Sequence, residues 1–85
     1  MEIDALRLAL LAACASERAA PHRIHGELEH WLARPLASAE IDAALAELEA
    51  GGLVSAQREA AAVAFLTTAD GRALVAERWE EFFPA

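Results

Sequence analysis

Gly51-Gly52 divides the chain into two kinds of pattern. Before the pair, apolar residues recur at helical spacing in three segments. After it come two short apolar runs and one more helical stripe. Adjacent glycines behind an apolar stripe stop a helix, because the left-handed backbone that closes a helix carries no Cβ penalty in glycine.

The first helix is expected over about residues 2 to 17, with Ile3, Leu6, Leu10 and Ala13 in one row and Leu8, Leu11 and Ala15 in another. Two apolar faces require packing on both sides, and a second copy of the chain is one candidate for the second side. Ala19-Ala20-Pro21 breaks that helix. A second runs from about Arg23 to Ala33, with Ile24, Leu28, Trp31 and Leu32 inward. Arg34-Pro35-Leu36 reads as extended, since a residue before proline avoids helical dihedrals.

Ser38 reads as the N-cap of a third helix over roughly 39 to 50, with Ile41, Ala44, Leu45 and Leu48 inward. The runs Leu53 to Gln57 and Ala61 to Thr67, separated by Arg58-Glu59-Ala60, form a hairpin with Val63 and Phe65 on one face. Thr68 caps a last helix ending near Phe83, with Leu74, Val75, Trp79 and Phe82 in a stripe.

With 85 residues, 56% of them hydrophobic, the chain holds one domain with a core. Alanine supplies much of that fraction, so a mean hydropathy of +0.24 reflects helix formers more than oily surface. The lone Cys14 excludes an internal disulfide and reads as a small buried hydrophobe. Leu11-Ala12-Ala13-Cys14 is similar to a lipoprotein cleavage box, but a leader wants a basic first segment and this chain opens with Glu2 and Asp4. No apolar stretch reaches the roughly 18 residues of a membrane span. A cytoplasmic protein is expected.

At this point the order of elements and several motifs resemble a known family. His25-Gly26-Glu27-Leu28 resembles the "HGYEL" that opens the second helix of PadR-type transcriptional regulators. Ala44 through Val54 resembles their "ALxxLExxGLV", and Phe65 through Val75 their "YxLTxxGRxxL", with Thr68, Gly71 and Arg72 in register. The last two patterns are shared with MarR-type winged helices. The resemblance covers about residues 5 to 80. It implies a mainly helical fold with a small β-hairpin, a winged helix-turn-helix in the order α-α-(β)-α-β-β-α, as a single domain over residues 1–85. It also implies a small dimeric regulator that binds duplex DNA through residues 38 to 50. Departures are the absence of tyrosine in that helix, the wing tip Arg58-Glu59-Ala60, and Thr67 where the family has leucine.

Charge opposes the resemblance. Seven arginines and no lysine face fourteen acidic residues, for a net charge of −7, so nucleic acid repels the chain on average. On the DNA reading, Ser38, Ala39, Asp42 and Ala43 face the bases while Arg34 and Arg58, with Arg23 nearby, approach phosphate. On the alternative, the acidic face of Glu40, Asp42, Glu47 and Glu49 takes a basic protein partner. A dimer would form through the first and last helices, with Leu8, Leu11, Val75, Trp79, Phe82 and Phe83 as contacts.

His22, His25, Glu29 and His30 are the one cluster with ligand chemistry, but they lack a zinc signature and a fourth ligand, so no metal and no cofactor is expected. Glu29 reads as pairing locally. No glycine-rich phosphate loop or nucleophile–base arrangement is present, so the chain reads as a non-enzyme.

Overall fold

The computed structural model describes residues 1–84. Helices α1 (Ala5–Ala13), α2 (Pro21–Leu32) and α3 (Ser38–Ala50) precede strands β1 (Val54–Glu59) and β2 (Ala62–Thr67), and α4 (Ala69–Phe82) follows. The strands pair antiparallel from Val54 opposite Thr67 to Glu59 opposite Ala62. This is a winged helix with β1–β2 as the wing. Arg58 and Glu59 therefore belong to the strand, and the turn is Ala60-Ala61, where Ala60 takes a φ of 51°.

One part of the expected order moves. Arg34-Pro35-Leu36 forms no strand. The extra extended residue is Ala19, whose N–H donates to the Phe65 carbonyl at 2.9 Å while the Phe65 N–H donates back at 2.8 Å. One edge of β2 is taken by β1, and the edge left over meets the chain entering α2. Pro21 does not merely end the preceding segment. It occupies the first turn of α2, where a missing N–H costs nothing.

α1 is shorter than its apolar spacing suggests. Asp4 Oδ1 accepts from the Arg7 N–H at 3.0 Å, which sets the start. At the far end Thr67 satisfies the open carbonyls. Its N–H donates to Cys14 at 2.9 Å and its hydroxyl to Leu11 at 2.7 Å. Both apolar faces of α1 are covered by α2, α3 and α4 of the same chain. Leu8 and Leu11, expected at a dimer interface, are 0% exposed and belong to this core. A second copy is not what covers them.

The "TxxGR" pattern has a local cause. Thr68 Oγ1 accepts from the Gly71 N–H at 3.2 Å and donates to the Gly52 carbonyl at 2.8 Å. A Cβ on Gly71 would collide with the Leu53 carbonyl and the Thr67 methyl, so α4 can approach only through glycine. Arg72 donates to the Thr67 carbonyl at 3.0 Å. α3 ends as the glycine pair implies, with Gly52 at φ 76° and the Leu53 N–H reaching the Leu48 carbonyl at 2.9 Å. Ser38 is not its cap. Ala37 holds that position, no side chain bonds there, and Ser38 is the first helical residue.

Two substitutions test this reading by urea denaturation. Thr67→Val keeps the shape, strips Leu11 of its partner in a buried site, and is expected to cost about 1–3 kcal/mol. Ala33 closes α2 at a φ of 54°, so Ala33→Gly should stabilise by about 1 kcal/mol. An unchanged midpoint in either variant contradicts the corresponding claim.

Candidate nucleic-acid interface

α2 and α3 are joined by a turn that two side chains clamp. His25 and Glu29 lie one helical turn apart on α2. Glu29 Oε2 accepts from the Leu36 N–H at 2.7 Å, and His25 Nε2 lies 2.8 Å from the Leu36 carbonyl. The two side chains are 3.4 Å apart. With its proton on Nε2 the imidazole donates to that carbonyl, so the pair satisfies both backbone groups of Leu36, whose side chain is buried. His22 and His30 are exposed and take no part in this clamp. Among the described residues no three His, Cys, Asp or Glu side chains gather as a metal site.

α3 packs through Ile41, Ala44, Leu45 and Leu48. Its exposed side presents Ser38, Ala39, Asp42, Ala43 and Ala46. Three of its four carboxylates are engaged by arginines from three different parts of the chain. Arg34, in the turn, grips Glu40 at 2.9 and 3.4 Å. Arg58, on β1, grips Glu49 at 2.8 and 3.0 Å. Arg7, on α1, bonds Glu47 through Nε at 2.8 Å and also holds Asp4 at 2.9 Å. The guanidinium of Arg34 holds Glu40, and that of Arg58 holds Glu49, below the usual carboxylate range.

Asp42 is the one α3 carboxylate without an ion-pair partner among the described residues. The helix that reads as strongly acidic in sequence thus carries one uncompensated charge.

A groove of about 660 Å³ runs between the start of α2, the first half of α3 and the wing, lined by Pro21, His22, Ser38, Asp42, Ala62 and Val63 among others. A smaller hollow of about 260 Å³ continues it toward Ala46, Glu49 and Arg58, sharing Pro21, Asp42 and Val63. Asp42 is therefore at the centre of the concave face.

Arg58 lines the smaller hollow and Arg34 sits against Glu40 in the first turn of α3, each engaged by a carboxylate. Arg18 and Arg23 are exposed and form no ion pair among the described residues. Arg18 borders the wing with Gln57, Ala62 and Val63. It escaped the sequence reading because the Ala19 bridge that carries it to the wing is a single residue, too short for a periodic signal.

On the opposite side, Trp79 meets Trp31 edge-on at 5.9 Å and stacks on Phe83 at 4.3 Å. Val75, Phe82 and these rings are partly buried in the chain itself. Cys14 is 0% exposed, and burial pushes its thiol up to about 11. That places it as a core residue, as its composition context suggested. No helix among the described residues is long and apolar enough to cross a membrane.

The sequence matches no protein-family model and no curated protein. Solved structures do match. RosR of H. salinarum superposes with a TM-score of 0.82 at 20% identity, over 94% of this chain and 74% of that one. Bacillus subtilis PadR in complex with operator DNA gives 0.77 at 13% identity, over 99% of this chain but only 51% of PadR. A homodimeric winged helix-turn-helix DNA-binding domain from Mycobacterium bovis, of a possible ArsR-family transcriptional regulator, gives 0.69 at 25% identity, over 89% and 66%. At these identities the likeness establishes that the chain has the winged helix-turn-helix fold of these proteins.

Proposed function

We propose that this chain is a small PadR-like, DNA-binding regulator of transcription that acts as a homodimer and places α3 in the major groove. The observation that carries the proposal is the likeness to PadR on its operator across 99% of this chain, together with an α3 whose outward face is free of other elements. On this reading Arg18 and Arg23 meet phosphates directly. Arg34 and Arg58 do so while keeping Glu40 and Glu49, since a guanidinium has five N–H donors and can bridge a carboxylate and a phosphate. Each phosphate contact releases condensed counterions.

The rival reading, an acidic face for a basic protein partner, has a weaker footing. Glu40, Glu47 and Glu49 already have arginine partners, which leaves Asp42 alone to attract one. Among dimer contacts, α1 has no free face, so α4 carries the proposal through Val75, Trp79, Phe82 and Phe83.

Fluorescence anisotropy on random duplex DNA, from low to physiological salt, tests DNA binding. Salt-sensitive binding is expected, and Arg18→Ala or Arg58→Ala should each weaken it and flatten the salt slope by about one unit. Unchanged affinity in a variant removes that arginine from the interface. Absence of binding at low salt overturns the proposal. For the dimer, sedimentation at micromolar concentration should give twice the 9.1 kDa chain mass, reduced to the monomer by Phe82→Glu. A monomeric wild type contradicts it.

A further inference from the structure

α3 contains no arginine, lysine, asparagine or glutamine along Ser38–Ala50. The bidentate side-chain pairs that select guanine or adenine in a major groove are therefore closed to it. What it does expose is a row of Ser38, Asp42 and Ala46 at helical spacing along the groove, with Ala39 and Ala43 beside it. Its remaining carboxylates are turned to arginines. Asp42 alone combines exposure, a central place in the groove and freedom from an ion pair.

Resting on the DNA reading above, we infer that Asp42 is the specificity-determining residue and selects cytosine, with the methyl groups of Ala39, Ala43 and Ala46 favouring flanking thymines. An ionised carboxylate only accepts. Guanine presents two acceptors in the major groove, N7 and O6, and thymine presents O4, so each repels Asp42. Adenine offers its N6 amino group, but with the N7 acceptor beside it. Cytosine offers the N4 amino group with no acceptor on its own major-groove edge, so it is the base on which the carboxylate recovers what desolvation removes. The alanine methyls have one favourable partner on a base edge, the thymine C5-methyl.

The same charge has a second consequence. Asp42 faces phosphates without an ion-pair partner of its own, Arg58 in the same hollow being held by Glu49, so it lowers affinity for any duplex and returns that loss only where an amino group meets it. It raises discrimination at the expense of general binding.

Selection from a randomised duplex pool, run with wild type and with Asp42→Asn, tests the inference. The wild type should enrich sites with a fixed C·G pair, and replacing that pair should weaken binding by roughly tenfold. Asp42→Asn should bind random DNA at least as tightly and move the preference at that position to adenine, because an amide donates to N7 as it accepts from N6. Replacing enriched thymines by uracil, which removes only the methyl, should weaken wild type and variant alike. The inference is overturned if both proteins enrich the same base at that position, or if the wild type binds DNA with no base preference. That second outcome leaves the DNA reading standing, whereas loss of salt-sensitive binding to any duplex removes both. Asp42 is exposed, and an unchanged helical circular dichroism signal confirms that the variant is folded.

Discussion

Thr67 ties together parts of the chain that no single element joins. Its hydroxyl and N–H close the C-terminus of α1, its carbonyl accepts Arg72 of α4, and it stands opposite Val54 at the base of the wing. The side chain is 1% exposed, so each of these bonds forms where water cannot substitute. α1 ends where it does because its last carbonyls find partners on β2, and that ending frees Ala19 to pair with Phe65. α2 then starts at Pro21 with a fixed relation to the wing, which fixes the groove. The leucine expected at this position could fill the space but could not donate to Leu11.

Charge is arranged on the same frame. A net charge of −7 on 85 residues opposes DNA on average. The distribution is what counts, since arginines from α1, the turn and the wing each meet one α3 carboxylate. The pairs are exposed and contribute little to stability. They leave a nearly neutral helix face with one carboxylate at its centre. Repulsion is then concentrated in Asp42 and in carboxylates outside the lining of the groove, such as Glu77 and Glu80 on α4.

Much of this was legible in residues whose demands are local. Gly51-Gly52, the Thr68 cap, Gly71 and the apolar row Ile41, Ala44, Leu45 and Leu48 each act through neighbours within a turn or two, and periodicity or capping chemistry exposes them. What was not legible depends on contacts across the chain. The two apolar faces of α1 look alike whether covered by α4 or by a second copy, so sequence alone cannot tell that Leu8 and Leu11 belong to the core. The Ala19–Phe65 bridge is one residue long. Thr67 is a departure whose reason is a carbonyl 56 residues earlier. Arg34 and Arg58 read in sequence as phosphate contacts, but the pairing that engages them is a matter of side-chain geometry between elements.

On the proposed function, nucleic acid meets the concave face made by the start of α2, by α3 and by the wing. Titration of the isotope-labelled protein with a short duplex at low salt, followed by amide chemical shifts, maps that contact. The largest shifts are expected within Arg18 to His25, Ser38 to Ala46 and Gln57 to Val63, with the α4 amides of Ala73 to Phe82 little changed. Shifts concentrated on α4, or spread evenly over the chain, would contradict it.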